Sequence, residues 1–236
     1  AQTGPGTFYA TAGFADYHER DAIALAATSW LGPAYQITSQ LNVVNPGGAA
    51  QSAHRDYHLG FMTDDRAEPF PGHAHLLSPL LTLQGAVAHG DWPVASGPTK
   101  LLPHSQKFPA GYVAWRRPDV IELFESRCVQ LPLDAGDAAF FNPALLHAAG
   151  ANHTADIRRM ANLLQVSSAF GRSMESIDRT RMMRAVYPAL LARQAAGWDE
   201  AALHRAVAAT AEGYAFPTNL DRDPPIGGLA PASQAD

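Results

Sequence analysis

Between residues 34 and 168 the chain is a series of short β-type segments separated by turn-forming residues, and this pattern limits the folds it can adopt. The clearest segments are AYQITSQLNVV (34–44) and LLTLQGAVAH (80–89), and shorter ones follow from GPTKLL (97–102) to RMANLLQVS. Six to eight short strands between turn signals predict a sandwich or barrel of the jelly-roll type.

Helical sequence flanks the β-rich region. A helix is expected at about 15–31, and the amphipathic, Ala-rich stretch 173–213 predicts two more. The tail, 214–236, is rich in Pro and Gly and is expected to be irregular. We therefore predict a mainly β, cupin-like double-stranded β-helix (jelly roll) with α-helices at both ends. It is expected to fold as a single domain over residues 1–236, with its β-core at about 34–168.

The composition limits the classes of partner. The 236 residues carry a formal net charge of −5, whereas a nucleic-acid backbone is bound by a clustered positive surface. Lys100 and Lys107 are the only lysines, and the arginines are scattered, so no polybasic patch for a membrane surface is expected. A lone cysteine, Cys128, excludes an intrachain disulfide and a thiolate metal cluster.

No targeting or membrane segment is expected within this sequence. No apolar run approaches the ~18 residues that a membrane span requires. The opening AQTGPGTFYATAGF has neither the basic head nor the apolar stretch of a signal peptide, and its first residue is Ala. It looks like the cut end of a longer or processed chain, and a cytoplasmic protein is expected.

Ten histidines make metal binding the first chemical question. His54 and Asp56 lie two residues apart on a β-type segment, so both side chains should point to one face, close enough to hold one ion. His147 follows the Gly136-Asp137 turn and a further strand, and would be a third ligand. Two histidines and one carboxylate bind one face of octahedral Fe(II) and leave three positions open.

Two alternatives compete for this metal site. A second triplet, His89-Gly90-Asp91, lies at a strand-to-turn junction, where its side chains would diverge. His58 belongs to the run HRDYH and could join His54 and Asp56 in the metal site of a zinc-dependent hydrolase.

Two further histidines lie in the segment 59–77. Residues 59–77 are expected to form an irregular, mobile loop that lies over a site. His73 and His75 are expected at the solvated surface of this loop.

The segment after His147 carries a more specific pattern. HAAGANHTADIR places Gly150, Asn152, Thr154 and Arg158 at set distances from His147. Together with the His54–Asp56 pair, GPTKLLPHSQKF (97–108) and the Gly-Asp turn, this pattern resembles the phytanoyl-CoA dioxygenase family of Fe(II)/2-oxoglutarate-dependent oxygenases. The resemblance covers roughly residues 34–168.

The resemblance implies an activity and its cofactors. It implies that His54, Asp56 and His147 bind Fe(II), that 2-oxoglutarate is the cosubstrate, and that O2 is consumed with release of succinate and CO2. Hydroxylation of a small organic molecule is the expected outcome, with no nucleic-acid or membrane partner, and the oligomeric state is left open. A barrel that binds a ligand without turnover is the third alternative.

The cosubstrate contacts follow partly from the resemblance and partly from strand geometry. Arg158 is expected to face inward and pair with the distal carboxylate of 2-oxoglutarate, with Arg159 facing outward. Gln84 and Thr99 are expected to line the barrel mouth and contact cosubstrate or substrate. Ala149 stands where the family often has a small hydroxyl residue, so one hydrogen bond to the cosubstrate is expected to be missing or replaced.

A second departure from the family lies in the 97–108 segment. Residues 103–106 read Pro-His-Ser-Gln where Pro-Gly-Ser-His is usual in the family. Asn152 and Thr154 are expected to shape the turn after His147 rather than to touch a ligand.

Overall fold

The structure, a computed structural model, describes residues 21–60 and 62–211 together with residues 213, 233, 235 and 236. Its described residues divide into two compact units, one of residues 39–165 and one that combines 21–38 with 166–236. The first unit contains every candidate site residue that the sequence predicts. The predicted start of the first helix and nearly all of the predicted tail lie outside the described residues.

Seven strands in the described part of the chain form two sheets. In chain order they are β1 (Tyr35–Val44), β2 (Thr82–Ala88), β3 (Thr99–Leu101), β4 (Val129–Gln130), β5 (Ala138–Phe141), β6 (His147–Ala149) and β7 (Arg159–Ser168). The four-stranded sheet has the order β1-β7-β2-β5, and the three-stranded sheet has the order β4-β3-β6. The neighbouring pairs β2–β5, β3–β4 and β3–β6 are antiparallel. The strands therefore span residues 35–168, as predicted.

Seven helices are described. They are α1 (Asp21–Leu31), α2 (Asp64–Ala67), α3 (Gly72–Leu77), α4 (Gly111–Ala114), α5 (Pro118–Arg127), α6 (Arg179–Ala195) and α7 (Glu200–Thr210). Helix α5 follows the pattern PDVIELFESR and has its proline in the first turn, where the missing N–H costs nothing. Within the second unit, α6 and α7 pack through a shared apolar cluster of Met182, Val186, Leu190 and Ala206. This pairing confirms the predicted helices after residue 173.

The segment at 59–77 differs from the expectation of an irregular loop. It contains helices α2 and α3, and His75, expected at the surface, is only 3% exposed. The His75 ring stacks on Tyr112 with 4.0 Å between ring centroids, and its Nε2 lies 3.1 Å from the carbonyl oxygen of Ala67. Local sequence could not show this, because the aromatic partner is 37 residues further along the chain.

Strand β6 anchors the third candidate ligand in the core. Leu146 and Ala148 are buried in a cluster with Phe124 and Ala53. Because successive side chains of a strand point to opposite faces, His147 between them is directed away from this cluster. The apolar contacts of Leu146 and Ala148 thus fix the strand, and the imidazole of His147 points to the opposite face.

Among the described residues, no helix is long and apolar enough to cross a membrane.

Candidate active site

Three side chains predicted as metal ligands come together in the structure. The backbones of His54 and His147 form an isolated antiparallel bridge, with N–H···O distances of 2.9 and 3.1 Å. Asp56 Oδ1 lies 3.5 Å from His54 Nε2, and Asp56 Oδ2 lies 3.3 Å from His147 Nε2. One potential ligand atom from each residue lies within 4.8 Å of the other two. The chain therefore places two imidazoles and one carboxylate where one metal ion could be held.

The orientation of both imidazoles favours a cation. His54 Nδ1 lies 2.8 Å from Ser52 O, and His147 Nδ1 lies 2.9 Å from Leu145 O. A carbonyl oxygen can only accept a hydrogen bond, so Nδ1 carries the proton in each neutral ring and Nε2 presents a lone pair. The two Nε2 atoms and the Asp56 carboxylate thus each present a lone pair, and these ligand atoms lie within 4.8 Å of one another. A bound cation would satisfy all three.

The pKa shifts of His54 and Asp56 agree with metal binding. Burial, and secondarily the charge of His147, lower the pKa of His54 below its ordinary value, against a smaller opposing effect of Asp56. Burial alone would raise the pKa of Asp56, but hydrogen bonding and charge from His147, with His54 and Gln84, outweigh it and lower that pKa. Neutral imidazoles and an ionised carboxylate are the forms that bind a metal.

A cavity of about 400 Å³ opens beside these three residues. Both sheets contribute to its wall, through Gln84 and Phe141 from the four-stranded sheet and Thr99 from the other. The structure therefore places Gln84 and Thr99 on the cavity wall, where the sequence predicted them. Whether either contacts a cosubstrate stays a prediction.

The arginine pair is oriented opposite to the prediction. Arg159 is 6% exposed and lines the cavity, whereas Arg158 is exposed and does not. Strand β7 begins at Arg159, and Arg159, Ala161 and Leu163 line the cavity at the two-residue spacing of a strand. The expected inward orientation of Arg158 is thus wrong by one residue, because the turn before the strand is one residue longer than the motif suggested.

The turn that sets this register is held by Asn152. Its Nδ2 donates to the carbonyl oxygens of Val44 at 3.2 Å and Ile157 at 2.8 Å. Its Oδ1 accepts from the backbone N–H of Thr154 at 3.1 Å and from the Thr154 hydroxyl at 2.6 Å. Asn152 is 1% exposed. The prediction that Asn152 and Thr154 shape the turn is confirmed.

Arg159 is a buried cation beside the metal residues. Its Nη1 donates to Ser96 O at 3.2 Å, and its guanidinium carbon lies 5.6 Å from the centre of the Trp92 ring. Burial lowers its pKa to about 10, so it stays protonated at neutral pH. Within residues 21–60 and 62–211, no carboxylate lies within 4.0 Å of its charged nitrogens. A buried guanidinium without an acidic partner is suited to bind an anionic ligand.

The competing ligands lie elsewhere. His58 Nδ1 is 2.9 Å from Ser78 Oγ, and His58 does not belong to the cluster that could hold a metal. His89 is exposed, and Asp91 accepts a hydrogen bond from the backbone N–H of Ala135 at 3.0 Å. The structure thus selects His147 as the third residue of the site.

Sequence reasoning missed two contacts of the site. Trp92, which flanks Arg159, follows strand β2 in an Asp-Trp-Pro turn, and that turn was the only signal it gave. The hydrogen bond from Gln84 to Asp56 joins residues 28 positions apart and left no local pattern.

Comparisons with known proteins agree with this arrangement. A family model described as phytanoyl-CoA dioxygenase (PhyH) matches residues 12–160, more than half of the chain. The non-heme monooxygenase ThoJ, in its apo form, has 17% sequence identity and a TM-score of 0.53, with 87% of this chain and 80% of that chain covered. The likeness to ThoJ confirms the predicted jelly-roll fold with flanking helices, although among the described residues helical ones (38%) outnumber those in strands (22%).

Two further solved structures match over part of their length. The alpha-ketoglutarate-dependent epimerase SnoN from nogalamycin biosynthesis has 24% identity and a TM-score of 0.48, with 65% of this chain and 55% of that chain covered. EvdMO1 has 19% identity and a TM-score of 0.47, with 63% and 31% covered. The chain thus spans about a third to somewhat over half of these two proteins. Comparison with curated protein sequences gives no significant match.

Proposed function

Because this chain belongs to the phytanoyl-CoA dioxygenase family, we propose that it is an oxygenase that uses Fe(II), 2-oxoglutarate and O2. The observation that carries the proposal is the convergence in one cavity of three metal-binding side chains with a buried arginine that has no acidic partner among the described residues. A metal site alone would fit many activities. A fixed positive charge beside it adds a place for the far carboxylate of a dicarboxylic cosubstrate.

The donor set fits Fe(II). His54, Asp56 and His147 supply two imidazole nitrogens and one carboxylate, the combination that holds non-heme Fe(II) while three positions stay open. When bound, Fe(II) would activate O2 for attack on an unactivated C–H bond, and 2-oxoglutarate would supply two electrons as it is converted to succinate and CO2. The backbone carbonyls behind both imidazoles keep the Nε2 atoms turned toward the ion, so the site is oriented before metal enters.

Arg159 is the residue we assign to the far carboxylate of 2-oxoglutarate. A guanidinium matches a carboxylate with two parallel hydrogen bonds, and burial strengthens that interaction because little water competes. Trp92 and the Ser96 carbonyl hold the side chain in place. Thr99 lies on the same cavity wall, directly opposite Ala149 on the neighbouring strand, and its hydroxyl can add one donor to the same carboxylate.

We assign the remaining cavity to a small organic substrate, and hydroxylation to the reaction. The only charged residues among those described on the cavity wall are Asp56 and Arg159, which the metal and cosubstrate use. An acyl-CoA is disfavoured, because its phosphates call for a basic cluster and the described wall carries none.

The test is an anaerobic titration of the protein with Fe(II) and then 2-oxoglutarate, followed by exposure to O2. We expect a weak visible charge-transfer band on addition of 2-oxoglutarate and O2-dependent formation of succinate. Asp56→Ala should lose both, whereas His58→Ala should keep both. Metal binding with no band and no succinate would overturn the proposal, and hydrolysis of a test ester by the zinc-loaded protein without O2 would favour a hydrolase.

A further inference from the structure

Gln84 makes a direct contact with the carboxylate of the metal site. It lies on strand β2 opposite Phe141 of β5, and its side chain lines the cavity. Its Nε2 donates a hydrogen bond to Oδ2 of Asp56. Its Oε1 is buried and has no hydrogen-bond partner among the described residues. The NH2 group of this amide therefore contacts the carboxylate, and the side chain lies at the cavity wall.

The orientation of this amide is determined by its neighbour. An ionised carboxylate can only accept hydrogen bonds, so an amide oxygen turned toward Asp56 would place two acceptors against each other. Only the NH2 group of Gln84 can face Oδ2. Strand β2 fixes where the amide starts, because Gln84 is paired in the interior of the sheet. Gln84 thus offers Asp56 one donor from one direction.

This donor makes the two oxygens of Asp56 unequal. Oδ2 accepts from Gln84 and also lies 3.3 Å from His147 Nε2, whereas Oδ1 lies 3.5 Å from His54 Nε2 and receives no hydrogen bond from Gln84. We propose that Gln84 is a positioning residue that restrains Asp56 to bind the metal through Oδ1 alone. The inference rests on the proposed function, and it gives Gln84 a role other than the expected contact with cosubstrate or substrate.

The restraint matters because coordination positions are limited. Two imidazoles and one carboxylate oxygen leave three of six positions for cosubstrate and O2. If Asp56 rotated and bound through both oxygens, it would fill a fourth position. A donor that holds Oδ2 away from the ion keeps the third open position available. Removing this hydrogen-bond donor should change the coordination of the metal and the reaction with O2 more than it changes the affinity for the metal.

The experiment compares Gln84→Leu and Gln84→Asn with Asn42→Leu. Leu removes the donor, and Asn keeps the amide but shortens its reach by one methylene. Asn42 is half-buried on the same cavity wall, on strand β1. Its replacement removes an equivalent amide that makes no hydrogen bond to the three metal residues in the described part of the chain. Co(II) serves as the probe, since its visible absorption reports coordination number and does not require turnover.

We expect both Gln84 variants to bind Co(II) within about threefold of the wild-type affinity but with a changed visible spectrum. Succinate formation at saturating Fe(II) and 2-oxoglutarate should fall about 10- to 100-fold, the usual effect of losing a partner that orients a ligand. Asn42→Leu should keep the wild-type Co(II) spectrum. Agreement between the Leu and Asn variants would assign the effect to the hydrogen bond rather than to cavity polarity.

Two results would overturn the inference: wild-type Co(II) spectra in both Gln84 variants, or the same spectral change in Asn42→Leu. Should Gln84→Leu fail to fold, Gln84→Asn provides the same comparison. The Co(II) spectra keep this test separate from the proposed function. A wild-type protein that binds Co(II) but forms no succinate would refute the proposed function and leave the role of Gln84 open to measurement.

Discussion

Arg158 and Arg159 are adjacent, yet only Arg159 enters the cavity, where it lies against Trp92. Removing a buried partner of a charged ligand costs about 2–5 kcal/mol. Arg159→Ala should therefore weaken 2-oxoglutarate binding by roughly 30-fold to several thousand-fold, at ~1.4 kcal/mol per tenfold.

Arg158→Ala is the matched control for this prediction. An exposed charge contributes a few tenths of a kcal/mol, so affinity should change by less than about threefold. Anaerobic titration of the Fe(II)-loaded proteins measures both values, and Fe(II) binding should persist in each. A larger loss in Arg158→Ala than in Arg159→Ala would contradict the strand register seen here.

Metal binding should depend on His147 and not on His58. His54→Ala and His147→Ala each remove one of three ligands and should weaken Fe(II) binding at least about 100-fold, measured by anaerobic titration. His58→Ala should stay within about threefold of wild type, because its ring contacts Ser78 and lies outside the metal cluster. Equal losses in all three variants would instead support a site of the zinc-hydrolase type.

Thr99 should supply the hydroxyl that Ala149 lacks. The two residues are directly opposite each other on β3 and β6, so their Cβ atoms should lie ~5 Å apart on one face. Loss of a hydrogen bond to a charged group costs about 1.5–3 kcal/mol, so Thr99→Val should weaken 2-oxoglutarate binding about 10- to 100-fold. Adding Ala149→Ser should restore most of the affinity. Unchanged affinity in Thr99→Val would rule out this role.

Asn152 should matter for stability as much as for the site. Asn152→Ala removes four hydrogen bonds at a position that is 1% exposed, and leaves the Val44 and Ile157 carbonyls without this donor. The free energy of unfolding should fall by about 2–4 kcal/mol in urea denaturation. Thr154→Val loses only part of the network and should cost less. Equal stability of Asn152→Ala and wild type would show that the turn holds without this side chain.

His104 occupies a backbone conformation that favours glycine. Its φ is +67°, in the left-handed region that costs an L-residue about 1–2 kcal/mol, and it stands where the family pattern has Gly. His104→Gly should therefore raise the free energy of unfolding by about 0.5–1 kcal/mol, after the entropy that Gly loses on folding. A lower free energy of unfolding for His104→Gly than for wild type, measured by urea denaturation, would mean that the His104 side chain makes a stabilising contact.

Much of the site could be read from the sequence because its signals are local. The two-residue spacing of His54 and Asp56 and the Asn152–Thr154 turn depend on backbone geometry within a few residues, and both are found as predicted. The position of His147 ahead of that turn was predictable for the same reason. Helix α5 was also predictable, since Pro118 marks its first turn.

The tertiary structure decided what depends on distant partners. Which arginine faces the cavity follows from where strand β7 begins, and hydrogen bonds from Asn152 to Val44 and Ile157 set that point. A shift of one residue reverses every side chain of a strand, so a small difference in turn length exchanged the two arginines.

The sequence by itself determined the fold class, the ligand types and their spacing, because these follow from periodicity and from the chemistry of single side chains. Packing alone decided that Gln84 contacts Asp56 and that His75 stacks on Tyr112. Such contacts join residues far apart in the chain, and their free energy depends on burial that exists only after the strands and helices have come together.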